Sequence, residues 1–256
     1  MIPKIIHYCW FGKGEQPEIV RACIASWKKF CPDYKFILWN EENFDVNSTV
    51  FTRIAYENKK WAFVSDYVRL FALQQYGGVY LDVDVEIVKD FSSFLLTEKY
   101  LSSFQEGGFL STCFFACQPN HPFVNALLEH YQNKKWIQDN YMIMNPIIFT
   151  KIALERFNLD NSKNVFINDL FSIYPSIFFT PPRKSIFGKG MKRFKKNKYH
   201  LSKNNTYVIH HELGSWAKKN VLYKIIVGSM RCLLPYQIYD NIKKIRAKKL
   251  IDDYEL

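Results

Sequence analysis

Asp82 and Asp84 stand two apart at the end of the short run Val79-Tyr80-Leu81. Residues two apart in an extended chain point to the same side, so the two carboxylates converge. Such a pair suits a hard divalent cation that also carries phosphate oxygens. A cation held there neutralises the charge growing on a departing diphosphate. Taken alone, Asp-Val-Asp is equally a solvated turn. Asp66 and Arg69, three apart, share one helix face and form either an internal salt bridge or a grip on a substrate. An Asp on an otherwise apolar helix needs a partner or a ligand, because an unpaired buried charge is costly. His210 and His211 are adjacent near the end of another extended run. Neighbours in a strand face opposite ways, so at most one of them easily joins a metal. A histidine pair is also a common structural feature, and which of His210, His211 or Glu212 would ligate is open.

The elements around these residues follow from periodicity. Phe63, Tyr67, Leu70, Phe71 and Leu73 recur at helical spacing from Trp61 onward. Gly77-Gly78 stops that helix, and Val79-Tyr80-Leu81 leaves room only for a strand. Upstream, Lys4 to Trp10 is strand-like, followed by the loop from Phe11 to Pro17. Glu18 to Phe30 fits a helix with Ile19, Cys23, Trp27 and Phe30 on one stripe, and Tyr34 to Trp39 fits a second strand. Downstream, two strands are expected between Tyr100 and Phe115, separated by Glu106-Gly-Gly-Phe109. Helices are expected at Pro122–Gln132 and from Asn145-Pro146 to Phe157, then a strand over Val165–Tyr174. Repeated strand–helix alternation predicts an α/β layer fold with a mainly parallel sheet. Ligands of such sheets bind beyond the carboxyl ends of the strands, where Trp10 and the Asp82/Asp84 pair both fall. Trp10 itself is either core or part of that site. The phosphate-binding patterns G-x-G-x-x-G and Walker A are both missing.

Ser65-Asp66-x-x-Arg69 and Tyr76-Gly-Gly-Val-Tyr-Leu-Asp-Val-Asp84 resemble the sugar-binding DXD region of glycosyltransferase family thirty-two, a group that includes bacterial capsular polysaccharide transferases and is related to the clostridial glucosylating toxins. The resemblance extends to Ile2-Pro-Lys-Ile-Ile-His-Tyr-Cys-Trp-Phe-Gly12 and to His210-His211-x-x-x-Ser215-Trp216. It implies a GT-A-like (Rossmann-like) fold and a retaining, metal-dependent transfer of a hexose from a nucleotide diphosphate sugar, UDP-hexose favoured. The acceptor would be a hydroxyl of a growing polysaccharide or lipid-linked oligosaccharide. By the same resemblance Asp84 would bind Mn2+ or Mg2+, with Asp82 and His211 assisting. Asp66 and Arg69 would grip the sugar. Trp10 would stack on the base, Tyr80 would line the donor site, and Ser215 and Trp216 would close over the phosphates. Asn145 resembles a family position near the sugar, while a helix N-cap explains it equally well.

At 256 residues the chain can bury one large core. Its 22 Phe, 16 Tyr and 6 Trp exclude a disordered composition. The expected division is a catalytic domain over 1–217 and a basic amphipathic helical extension over 218–256. A net charge of +11 points to an anionic partner. Nine Lys or Arg lie between Arg183 and Lys203, interleaved with aromatics. This stretch is a solvated loop, a clamp on an anionic membrane or lipid diphosphate, or, ranked last, a nucleic-acid surface. The start of the chain lacks the apolar region of a secretion signal, and no apolar run is long enough to span a bilayer. The expected location is therefore the cytoplasm, peripheral on the inner face of the membrane. The six cysteines show no metal spacing and are expected to be reduced. A metal-dependent phosphohydrolase and a non-catalytic membrane- or nucleic-acid-binding protein are the rival classes.

Overall fold

The computed structural model describes residues 1–105, 107–132, 143–162, 165–181, 202, 204–213 and 236–254. The first strand, β1 (Ile5–Cys9), leads through a loop to helix α1 (Glu18–Phe30) and strand β2 (Lys35–Trp39). Helices α2 (Val50–Glu57) and α3 (Trp61–Tyr76) precede β3 (Gly78–Leu81), with β4 (Val85–Ile87) just beyond the acid pair. Then come α4 (Ser92–Thr97), β5 (Tyr100–Ser103), β6 (Phe114–Cys117), α5 (Pro122–Gln132) and α6 (Asn145–Phe157). The described chain ends with β7 (Phe166–Ile167), β8 (Ser172–Tyr174), α7 (Ser176–Phe179), β9 (Val208–His210) and α8 (Tyr236–Asp252).

Seven strands form one sheet in the order β2-β1-β3-β6-β5-β8-β7. β1 pairs in parallel with both β2 and β3, and β5 pairs in parallel with β8. β6 runs against β3 and β5, and β7 against β8. Five of the seven strands therefore share one direction, which is the expected mainly parallel sheet. The expected single strand over Val165–Tyr174 is instead the hairpin β7–β8. The Asn168 carboxamide accepts from the Leu170 and Phe171 amides (2.9 and 2.8 Å) and so turns the chain between them. Such a side chain competes with the ladder for local amides.

Strand periodicity divides the core. On β3, Val79 and Leu81 pack on one face and Tyr80 on the other; on β6, Phe114 and Ala116 oppose Phe115 and Cys117. One face is covered by α2, α3, α5 and α6, the other by α1, α4 and α7. Both β3 and β6 are buried throughout, as expected of strands covered on both faces. α3 is apolar nearly all round and correspondingly sunk in the protein, with Asp66 and Arg69 buried along it.

The joint between α3 and β3 positions the acids. Gly77 caps α3 with φ 60° and ψ −162°, a region essentially reserved for glycine rather than the ordinary left-handed cap. Gly78 follows with φ 102°, where a Cβ would lie 2.6 Å from the Ile5 carbonyl oxygen. Buried His7 on β1 pins the same joint. Trp39 Nε1 donates to His7 Nδ1 (3.1 Å), so His7 Nε2 carries the proton and donates to the Gly77 carbonyl (2.9 Å). Burial pushes the His7 ring down to about 4, consistent with this neutral tautomer.

α8 packs against α6, and its following residue Tyr254 shares a 2.7 Å hydrogen bond with His130 of α5. The boundary at 217/218 lies outside the described residues. The described cysteines, Cys9, Cys23, Cys31, Cys113 and Cys117, are free thiols. Among the described residues no helix is long and apolar enough to cross a membrane.

Candidate active site

A cleft of about 660 Å³ opens beyond the carboxyl ends of β1 and β3. Because these strands are parallel neighbours, Trp10 after β1 and Asp82 after β3 emerge on the same side, and both line the cleft. Asp66, Arg69, Tyr80 and Asp84 line it too. Six of the seven expected residues that fall within the described structure thus meet in one place. Ser215 and Trp216 lie outside the described residues, as do Glu106 and nearly all of the basic stretch 183–203.

Arg69 is the hub of the cleft floor. Its Nη2 lies 3.0 Å from Asp66 Oδ1 and 3.2 Å from Asp82 Oδ1. Its Nε donates to the Ser65 carbonyl (3.1 Å) and its Nη1 to the Thr112 carbonyl (2.7 Å). The guanidinium also sits 4.5 Å from the Tyr80 ring centroid, and the Tyr80 hydroxyl donates to Asp82 Oδ1 (3.0 Å). Asp66 and Arg69 are therefore both an internal salt bridge and part of the cleft wall. A planar fork with five donors can serve all these acceptors at once, which a lysine could not. Burial disfavours the Arg69 charge, but Tyr80, Asp82 and Asp66 around it hold its proton more firmly than usual. Burial pushes the Asp66 carboxyl up to about 7; Arg69 pulls against this, while Asp82 adds to it.

Asp84 is fixed by the pairing of β4 with β9. Val85 pairs with His210 in that antiparallel ladder, which carries the end of β9 alongside Asp84. His210 Nε2 lies 3.3 Å from Asp84 Oδ1, and the Leu213 amide donates to Asp84 Oδ2 (2.8 Å). Burial raises the Asp84 carboxyl, but His210 and the Leu213 amide outweigh it and leave the group below its ordinary value. Burial lowers the His210 ring, yet Cys113 and Asp84 beside it hold it well above 6.5. Asp82, Asp84 and His210 each present a ligand atom within 4.8 Å of the others. Two carboxylates and one imidazole suit a divalent first-row cation such as Mn2+.

Of the two histidines, the geometry brings His210 and not His211 to the acid pair. The alternation of β9 turns the His211 ring away, onto Glu86 Oε2 at 3.0 Å, and sends the His210 ring to the acids. Asn145 is also clarified. It is the first residue inside α6, and Met144 stands at the cap, so no capping bond is made. Its buried amide faces the cleft without a hydrogen bond of ordinary geometry.

The sequence did not point to the apolar wall formed by the aromatic rings of Trp61, Phe63 and Phe109 with Leu213. Phe63 enters the sequence reading only as one of the apolar residues at helical spacing along α3. The detectable signal was Gly12. Its φ of 92° and a Cβ position 2.5 Å from the Trp61 indole show that only glycine lets this ring pack on the loop after β1. Glu41 holds the loop by accepting from the Gly12 amide (2.7 Å) and the Tyr56 hydroxyl (2.9 Å).

Inositol phosphoceramide mannosyltransferase 1 of Schizosaccharomyces pombe is 30% identical over 160 residues, covering 58% of this chain and 47% of that protein. Mannosyl phosphorylinositol ceramide synthase SUR1 of Saccharomyces cerevisiae is 33% identical over 151 residues, covering 56% and 39%. The chain thus spans less than half the length of these curated relatives. Among solved structures, the PaToxG glycosyltransferase superposes with a TM-score of 0.51 at 20% identity, over 63% of this chain and 72% of that one, and so shares its fold. The family described as capsular polysaccharide synthesis protein matches residues 1–174, which carry most of the cleft lining apart from His210, Glu212 and Leu213, and the chain belongs to that family.

Proposed function

We propose that the chain is a glycosyltransferase that moves a hexosyl group from a nucleotide diphosphate sugar to a hydroxyl of a glycan or glycolipid acceptor. The observation that carries this reading is the convergence of Asp82, Asp84 and His210 beside the buried Asp66–Arg69 pair. Asp82, Asp84 and His210 would hold Mn2+ or Mg2+, which when bound neutralises the diphosphate leaving group. Arg69 and the Tyr80 hydroxyl hold Asp82 in place for that role. Asp66, with Asn145 beside the same cleft, would orient the sugar hydroxyls, lowering the entropic part of the barrier. Trp10 would stack on the base, and Ser215 and Trp216 would exclude water. Retention of anomeric configuration would follow from acceptor attack on the face the diphosphate leaves. The names of the relatives favour mannose as the sugar and a phosphoinositol ceramide as the type of acceptor. The family resemblance of the sequence favours UDP as the nucleotide.

Calorimetric titration of UDP and of GDP, each with and without Mn2+, tests the reading and identifies the base. One nucleotide should bind only with Mn2+, and Asp84→Asn should abolish that dependence without lowering the melting temperature. Failure of both nucleotides to bind in the presence of Mn2+ would sink the reading.

A further inference from the structure

α8 has two apolar faces. Ala247, Leu250, Ile251 and the following Tyr254 point inward, at the spacing of one helix face, and pack on α6 and α5. Ile238, Ile242 and Ile245 stand at i, i+4 and i+7, a second stripe on the opposite side. They are 48%, 38% and 72% exposed. A stripe of three isoleucines along about 10 Å of helix is unusual on a surface that contacts only water. Lys244, Arg246, Lys248 and Lys249 are exposed along the same helix. Over the whole of α8 five Lys or Arg stand against two Asp, on a chain of net charge +11.

We infer that the outer face of α8 docks on an anionic lipid surface, with the helix lying in the plane of the membrane. The isoleucines would enter the boundary between headgroups and acyl chains while the basic side chains meet the lipid charges. Charge complementarity selects this occupant over a second copy of the chain, whose own basic α8 would repel it.

The position of α8 makes the docking productive. The helix lies against Gly107, where a side chain would meet the Lys243 carbonyl oxygen at 3.4 Å and Ala247 Cβ at 3.6 Å. Gln105 and Phe109, flanking Gly107, line the cleft. So do Asn145, Pro146 and Ile147 at the start of α6, the helix on which α8 packs. One helix thus joins the exposed stripe to two segments of the cleft wall. Docking would hold the cleft near the bilayer, where a lipid-borne acceptor is presented.

Sedimentation with phosphatidylcholine vesicles, with and without phosphatidylglycerol, tests the inference. The chain should sediment with the anionic vesicles only, and binding should fall steeply with added NaCl. The double variants Ile242→Asp/Ile245→Asp and Lys248→Glu/Lys249→Glu should each weaken partitioning at least about tenfold. Both should keep the wild-type melting temperature and Mn2+-dependent nucleotide binding. Equal binding to neutral vesicles, or wild-type partitioning by either variant, overturns the inference. So does a dimer that Ile242→Asp/Ile245→Asp converts to monomer while vesicles are ignored, or salt-sensitive binding to duplex DNA in place of vesicles. Vesicle binding needs no nucleotide, so its failure is separable from failure of the transferase reading.

Discussion

At the scale of single residues, His210 and His211 show how one position changes a role. Both rings find a carboxylate, Asp84 for His210 and Glu86 for His211, but only His210 shares its carboxylate with the Asp82 cluster. His210→Ala should weaken Mn2+ affinity by at least about tenfold. His211→Ala should leave it unchanged. Titration of the free Mn2+ signal by electron paramagnetic resonance reads both directly, without any turnover. The reverse order of the two effects would return the ligand role to His211.

At the scale of elements, the α3–β3 joint is where backbone conformation determines chemistry. Asp82 lies four residues beyond Gly78, so any displacement of the joint is passed along β3 to the acids. Gly78→Ala would place a methyl 2.6 Å from a backbone oxygen at a φ of 102°. It should destabilise the protein by about 1–3 kcal/mol in denaturant unfolding. Gly14→Ala is the control: nothing lies within 4 Å of its Cβ position, and its stability should match wild type. Equal stability of the two variants would mean the joint is not under the constraint described.

At the scale of the molecule, three buried histidines make folding sensitive to acid. Burial pushes His7, His121 and His130 each from 6.5 down to about 4. Between these values the unfolded chain binds protons at the three rings that the folded chain does not, so stability falls as pH falls through the window. At pH 5 this amounts to roughly 2 kcal/mol per ring relative to pH 7. Asp66, raised to about 7, acts in the opposite sense: the folded protein gains its proton first, which offsets about one ring. His210, held well above 6.5 and so already protonated in the folded protein, offsets a further part of one ring, and chemical denaturation at pH 7 and pH 5 should therefore show a net loss of about 2–3 kcal/mol. A stability that stays level over this range would show that the rings are not held neutral.

The sequence by itself determined the local elements and the side of the sheet on which the chemistry sits. α1 falls at the residues that periodicity marks, α5 and α6 fall where a proline opens each helix, and Gly77-Gly78 marks the end of α3, because spacing, proline starts and glycine conformations act within a few residues of chain. Asp82 and Asp84 were legible for the same reason: an acid pair at a strand end is a local pattern. Tertiary structure decided what depends on distant partners. β4 and β9, which place His210 on Asp84, are more than a hundred residues apart in the chain and only three residues long each, too short to carry a pattern of their own. The hairpin β7–β8 arose from a side chain competing for local amides, which apolar periodicity does not register. Arg69 binds Asp66 on its own helix, as the spacing suggested, but also Asp82 and the Thr112 carbonyl, which only the packing of α3 against the sheet brings within reach.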